Sequence, residues 1–308
     1  MKQPKIAIVG SLNMDIIVSM ERMPHAGETV TAQHVSYLPG GKGANQAVGC
    51  AKLGADVSMI GAVGQDVFGK QIVGKFQELG IATNRLEQLE DAPTGIASIY
   101  HTREDNCIAV VPGANALCTP DLVFAHAQAI REARLLLVQL EVPLPTVQHA
   151  LELARETGIT TVLNPAPARV LPSELLALAD WITPNESEFA LLSGGNPGSE
   201  AEWETALRDF QTAAGPAVIV TRGQAGCSYL DDSGRIRTVP APTVQVVDTT
   251  GAGDAFNAAL CCGLASGWAF DETVSFAIHA ASLSVTRFGA QDGMPTMEEV
   301  RSSMETEG

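Results

Sequence analysis

What this chain has little of narrows its function before any motif is read. Basic residues are scarce: 19 Lys and Arg stand against 35 Asp and Glu, a formal charge of −16. Nucleic acid and anionic membranes bind through Lys and Arg, so neither is expected as the main partner. No run of 18 apolar residues occurs, which excludes an expected membrane-spanning helix. The opening stretch "MKQPKIAIVG" lacks a long apolar segment with a small-residue cleavage site, so a secretory signal is not expected. The six cysteines (50, 107, 118, 227, 261 and 262) make no CxxC and no metal-ligand spacing. Most sit in apolar surroundings, where cysteine acts as a small hydrophobe, and a reducing cytoplasm is the simplest setting. Two glycine signatures are missing as well. The first apolar run leads into GSLNMD rather than GxGxxG, and no GxxxxGK[ST] spacing fits. A dinucleotide fingerprint and a Walker A loop are both excluded on that ground.

What is present alternates. Short β-branched runs at 5–10, 56–63, 134–140, 159–164, 180–183 and 217–222 are separated by helical patterns such as 44–54 and 145–158. This is the pattern of an α/β chain with a mainly parallel central sheet, covered by helices. In the second helical stretch Val147, Ala150, Leu151 and Ala154 share one face, and Gly158 supplies a stop. A second population of strands, at 15–21, 28–38, 95–101 and 107–113, breaks the alternation and reads as antiparallel, with "TREDN" as a hairpin turn. These segments predict a small sheet projecting from the main one, drawn from about 15–38 and 95–112, as a lid or a dimer contact. The whole of 1–308 reads as one domain.

Ligands on open α/β sheets bind beyond the carboxyl ends of the strands. Polar and glycine residues gather there: Ser11, Asn13 and Asp15 after the first strand, Glu141 after the third, Asn185, Glu186 and Glu188 after the fifth, and Gly223-Gln224-Ala225-Gly226 after the sixth. In "LPGGKGANQAVGCAKLG", Gly40, Gly41 and Gly43 surround Lys42 just before a helix. Such a loop lets backbone N–H groups approach a ligand, and a plain tight turn is the competing reading.

The strongest signal is "VVDTTGAGDAFNAAL" at 246–260. The helix from Asp254 to Ala265 is apolar nearly all round, which predicts burial. Its start carries partial positive charge and the N–H groups of Gly251, Ala252 and Gly253. Asp254 alone could be an ordinary helix cap. A cap, however, does not need three small residues clearing the space in front of it. A carboxylate beside an anion hole is useful when it removes a proton, so the stretch points to phosphoryl transfer to an alcohol with Asp254 as base.

These residues together resemble the ribokinase-like (PfkB) sugar kinases, and the three-layer fold of that family with its β lid is the expected fold. The resemblance runs over about 5–295, from "IVGSLNMDIIV" through "PGGKGANQAVGCAKLG", "VGQDVFG", "QLEVP", "NPAPA", "TPNESE" and "TRGQAG" to "DTTGAGDAFNAAL" and "SVTRFGAQ". It implies an ATP-dependent kinase that phosphorylates D-ribose at O5, with Mg²⁺ and stimulation by K⁺. Relatives acting on 2-deoxyribose, fructose or a nucleoside are the alternatives, and a sugar-binding protein without turnover is a more distant one. By resemblance Asp254 is the base, and Asn13, Asp15, Gly41, Lys42, Gly43, Asn45 and Glu141 hold the sugar. Asn185, Thr221, Arg222, Gly223, Gln224, Ala225, Gly226, Gly253 and Ile278 match the ATP site. Glu188 is linked to magnesium through water, and Asp248, Thr250, Ser284, Arg287, Gly289 and Gly293 to potassium. The family's small sheet serves as sugar lid and homodimer contact. The chain departs from the family at Ile278, where Asn or His is common, and at Asp292 and Gly293, where Pro and Ser are usual. Arg222 replaces a residue that is frequently apolar or Lys, and is expected to be able to reach a phosphate.

Overall fold

Alternate side chains of the first strand enter two different cores. Ile6 and Ile8 pack into one and Ala7 and Val9 into the other, the mark of a strand covered on both faces. The computed structural model describes residues 3–102 and 106–306. Among these, thirteen strands form two sheets. They are β1 (Lys5–Val9), β2 (Asn13–Ser19), β3 (His34–Gly40), β4 (Asp56–Gly64), β5 (Leu86–Leu89), β6 (Gly95–His101), β7 (Asn106–Val111), β8 (Leu135–Val138), β9 (Thr160–Leu163), β10 (Trp181–Ile182), β11 (Ala217–Thr221), β12 (Cys227–Leu230) and β13 (Ile236–Val239).

The large sheet runs β13-β12-β11-β10-β9-β8-β1-β4-β5. From β11 to β5 every pairing is parallel, and β12 and β13 close one edge as antiparallel strands. Helices Lys42–Lys52, Ala252–Ser266 and Phe270–Ser284 cover one face. Leu144–Thr157 and Glu200–Ala214 cover the other. Among the described residues, no helix is long and apolar enough to cross a membrane.

The small sheet has the order β3-β2-β6-β7 and corrects one expectation. β2 pairs with β6 in parallel, while β2–β3 and β6–β7 are antiparallel, so the sheet is mixed. The chain leaves β3, crosses the main sheet through β4 and β5, and returns alongside β2 in the same direction; such a long crossover is what parallel pairing requires. The strand expected over 28–38 is confined to His34–Gly40. Residues 28–33 before it lie in an exposed loop, which an Arg22–Glu28 ion pair ties down. The turn expected at "TREDN" falls partly on 103–105, outside the described residues.

Two of the covering helices approach unusually closely. A β-carbon on Gly49 would stand 2.7 Å from the Ala258 β-carbon, so only glycine lets Lys42–Lys52 and Ala252–Ser266 pack at this distance. The interface brings the start of one helix, with Asn45 and Gln46, against the start of the other, with Asp254.

Candidate active site

The carboxyl ends of β1, β8, β9 and β10 deliver Asn13, Glu141, Asn164 and Thr183 to one region, where the two helix starts meet them. The glycine-rich loop is tied to the strand ends by Glu141. Its Oε2 accepts from the Lys42 backbone amide at 3.0 Å and also from Ser11 Oγ. Ser11 Oγ lies 3.3 Å from Gly43 N, so one serine links β1, the loop and Glu141. Asn13 is 2 % exposed and its Oδ1 accepts from Asn115 Nδ2 at 2.7 Å. Asp15 lies on the inner face of the small sheet, in register with Leu38 and Ala97.

Asp254 is almost completely buried at the start of its helix. The N-cap is Gly251 in the left-handed conformation (φ 82°), no side chain caps it, and Ala252 N reaches back to Thr249 O at 3.3 Å. Glycine is needed there because a side chain would be strained at that φ. In front of the helix start lies a cavity of about 180 Å³, lined among others by Lys42, Asn185, Glu188, Gly251, Ala252, Gly253 and Asp254. The Asp254 carboxylate accepts from Asn45 Nδ2 and Gln46 Nε2, each at 2.9 Å. Burial pushes its carboxyl group up, and Lys42 together with the two amides pulls it down.

Four carboxylates surround Lys42. Its own burial favours loss of the proton, but Asp254, Glu141, Glu188 and Asp15 outweigh that, and the ammonium is held above its ordinary range. Asp15 shows the opposite outcome. Burial first, then the charges of Glu141 and Asp254, raise it to about 7, with Lys42 opposing. The arrangement is thus a half-buried lysine in an acidic cage facing an uncapped helix start. It can bind polyhydroxylated molecules, and it favours an entering anion at Lys42 and the helix N-terminus.

A second cavity, about 440 Å³, adjoins the first and shares Thr221, Thr249, Ala252 and Gly253 with it. Its walls are largely apolar, with Val244, Val246, Phe256, Ile278 and Val285, and Gly223, Gln224 and Gly226 form one side. The size suits a small planar ligand. Arg222 departs from its expectation. Its guanidinium stacks 4.8 Å from the Trp203 ring centroid and pairs with Glu186 and Ser228, so it faces away from both cavities. Ala225 also lies outside the lining. Two wider grooves, of about 850 and 840 Å³, lie elsewhere and gather no buried carboxylate.

Neither metal expectation meets a complete cage. Among the described residues no group of three His, Cys, Asp or Glu side chains could hold a metal ion. Glu188 forms a capping box with Asn185, using Oε2 on the Asn185 amide, and lines the small cavity. That suits an ion brought in by phosphates and reached through water. The second cluster is built from backbone. Asp248 accepts from Thr250 N and Gly289 N, each at 2.9 Å, and so fastens two loops together. A β-carbon on Gly293 would stand 2.6 Å from Ser284 O and 3.8 Å from Arg287 O, so carbonyl oxygens converge on the space that the glycine leaves. Carbonyl oxygens of this kind fit a hard cation.

Several residues of the site escaped the sequence reading: Gln46, Asn115, Gln139, Asn164, Thr183, Asn257 and Gln291. Thr183 Oγ1 donates to Asn257 Oδ1 at 2.6 Å, and Asn257 Nδ2 donates to Gly253 O at 2.8 Å, which braces the start of the Ala252–Ser266 helix. The available signal was a polar residue embedded in an apolar run, as in "LLLVQL" and "DAFNAAL".

Comparison with known proteins agrees with this geometry. The pfkB family carbohydrate kinase model matches residues 3–297. Ribokinase of Bacillus subtilis (strain 168) is 40% identical over 296 residues, spanning 96% of this chain and 97% of its own. Deoxyribokinase of Salmonella typhi is 34% identical over 296 residues, spanning 96% of each. The structure of Arabidopsis thaliana ribokinase complexed with ribose and ATP superposes with a TM-score of 0.91 at 32% identity, covering 98% of this chain and 99% of that one. Sequence, fold and site therefore agree that the chain belongs to the pfkB family of carbohydrate kinases, as a ribokinase-type enzyme that transfers a phosphoryl group to an alcohol.

Proposed function

We propose that this kinase transfers the γ-phosphoryl group of ATP to O5 of D-ribose. Asp254 removes the proton of the attacking hydroxyl, and the 251–254 helix start with Lys42 stabilises the migrating phosphoryl group. The observation that carries the reading is the buried Asp254 carboxylate beside an uncapped, glycine-started helix, with an apolar cavity adjoining through Ala252 and Gly253. Asn13, Asp15, Gly41, Gly43, Asn45 and Glu141 hold the sugar, and their amides and carboxylates match the alternating donors and acceptors of a polyol. The 440 Å³ cavity takes the adenosine moiety, with Ile278 offering an apolar wall to the base.

Glu188 would hold Mg²⁺ through water, and the carbonyl oxygens around Ser284, Arg287 and Gly293, near Asp248, would hold K⁺. Bound there, these ions supply positive charge against the phosphates. The chain itself supplies the carbonyls, the loop fastening by Asp248 and the buried helix start. Among the six cysteines none is in a disulfide, which fits a cytoplasmic setting with ATP as co-substrate. A homodimer forms through the small sheet. Ile108 and Val110 stand 56% and 49% exposed on the face that also carries Ile17, Ile99 and Asp15.

A second reading, a 2-deoxyribose kinase, is kept open by the likeness to a deoxyribokinase. The deciding experiment is an ATP-consumption assay over ribose, 2-deoxyribose, fructose and nucleosides, with and without K⁺. Ribose is expected to lead 2-deoxyribose by several orders of magnitude in kcat/KM, on the order of 10⁴-fold for a site built around the 2-hydroxyl. Equal values for the two sugars would remove the ribose assignment.

A further inference from the structure

Asp254 is the inner end of two amide relays. One comes from the sheet: Gln139, the first residue beyond β8, donates from Nε2 to Gln46 Oε1 at 2.5 Å, and Gln46 Nε2 donates to Asp254 Oδ1 at 2.9 Å. The other comes from the Ala290–Gly293 turn. Gln291 Nε2 donates to Asn45 Oδ1 at 3.2 Å, and Asn45 Nδ2 donates to Asp254 Oδ2 at 2.9 Å. All five side chains are at most 6% exposed. Each carboxylate oxygen therefore has its own relay, and the two relays originate in different parts of the fold.

The direction of these bonds follows from charge. An ionised carboxylate only accepts hydrogen bonds, so Asn45 and Gln46 must turn their NH₂ groups toward it and their carbonyl oxygens away. The outer glutamines must then donate inward. The consequence is visible at both outer ends, where Gln139 Oε1 and Gln291 Oε1 lie buried without a hydrogen-bond partner. A buried acceptor left unpaired is unfavourable, and turning either outer amide over would set two carbonyl oxygens against each other. Room is made for the strained arrangement. A β-carbon on Gly10 would stand 2.0 Å from Gln139 Oε1, and Lys52 Nζ donates to Gln291 O and Met294 O at 2.9 and 3.0 Å, clamping the turn to the glycine-loop helix.

We infer that Gln139 and Gln291 are positioning residues, which act through Gln46 and Asn45 to hold Asp254 ionised and in a single orientation for proton removal. Neither of them lines either cavity beside Asp254. The inference rests on the reading of Asp254 as the base. The charged groups that bear on Asp254 are Lys42, which favours its ionised form, and Glu141, Asp15 and Glu188, which oppose it. Burial opposes it most, so the amide donors supply part of what offsets that burial.

The test uses the full chain with Gln139→Leu, Gln291→Met and the double substitution, beside Asp254→Asn. Turnover is followed against pH, with KM for ribose and ATP, calorimetric ribose binding and melting temperature. Each single substitution is expected to lower kcat by about 10-fold at pH values below the acid limb, with a smaller deficit above it, and to leave both KM values within about twofold. It should also move the acid limb of the kcat profile up by about one pH unit, so the deficit shrinks in alkaline buffer. The double substitution should move the limb further, because the relays serve different oxygens. A merely structural role would lower kcat by the same factor at every pH, or weaken ribose binding in parallel, and either result overturns the inference. So does unchanged kcat in a variant that melts as a folded protein. If Gln139→Leu fails to fold, Gln139→Asn and Gln291→Asn keep an amide but shorten its reach, and the same upward shift is expected. Full turnover in Asp254→Asn would overturn the base itself. An inactive Asp254→Asn beside fully active glutamine variants would overturn the relays alone.

Discussion

Gly40 leaves no room for any side chain beside Asp15: a β-carbon there would stand 2.2 Å from Asp15 Oδ2. The two residues lie on adjacent strands, with Asp15 directly opposite Leu38, so the glycine sets where the carboxylate rests. Gly40→Ala is therefore expected to push Asp15 out of its position over the glycine loop. Ribose affinity should fall by about 10-fold, because a hydrogen bond to the Asp15 carboxyl group is misplaced. ATP affinity should hold, since neither residue lines the cavity proposed for the nucleotide. Unchanged ribose binding by calorimetry would show that Asp15 does not hold the sugar.

The proton on Asp15 gives a pH signature. Burial and the neighbouring Glu141 and Asp254 raise its carboxyl from 3.8 to about 7. Between these values the folded chain keeps a proton that the unfolded chain has lost. The contribution to stability is therefore full below about pH 4 and is lost as pH rises through about 7, on the order of 4 kcal/mol in total. Asp15→Asn removes the titration. It should melt higher than the parent at pH 8, and the advantage should vanish toward pH 4. A melting difference that does not vary with pH would contradict this account.

Removing the charge of Asp254, the proposed base, should separate binding from turnover. Asp254→Asn keeps the shape of the side chain but leaves one acceptor for two inward-pointing amides, and it cannot take a proton at neutral pH. Phosphorylation should fall by roughly 10²–10⁴-fold while ribose still binds. Rate assays and calorimetry on the same preparation check both halves. Retained turnover would mean that another group takes the proton.

How far the sequence disclosed this site depends on the kind of residue. Asp254 was legible because Gly251 and Gly253 strip a helix start bare beside it. The parallel strands were legible because β1, β8 and β11 are buried on both faces and read as continuous apolar runs. Strands β5, β12 and β13 were missed, since each has only four residues and lies at or near one of the sheet's two edges, and β5 and β13 are partly exposed as well. The direction of β6 against β2 was also hidden, because it depends on the path of the intervening chain across the main sheet. Gln46, Gln139 and Gln291 carry no spacing signal, for their partners lie 93 to 246 residues away. Arg222 was misjudged because its partner, the Trp203 ring, lies on a helix on the far side of the sheet from Asp254.

The apolar cavity makes a separate demand. Ile278 is 3% exposed and faces Phe256, Val246 and Val285 across a space of about 440 Å³. Ile278→Ala widens that wall and should raise KM for ATP by about 10-fold, the range for methylene groups lost from a hydrophobic pocket. Ribose affinity should not change, because the sugar residues share no wall with Ile278. A rise in ribose KM alone would place the nucleotide elsewhere.

Asp248 tests the link between the cation loops and the anion hole. Its two carboxylate oxygens hold Thr250 N, three residues before Gly253, and Gly289 N, which starts the turn bearing Gly293 and Gln291. Asp248→Ala frees both loops, and the carbonyls of Ser284 and Arg287 lose their fixed relation to the helix start. Thr250 is exposed, so its freed amide turns to water, but Gly289 is buried and its amide loses its partner, so global stability should fall by about 1–3 kcal/mol. Turnover should fall and lose its response to added K⁺, with ribose binding preserved. A variant that still gains rate from K⁺ as the parent does would show that the cation acts at another place, and that Asp248 only ties two surface loops.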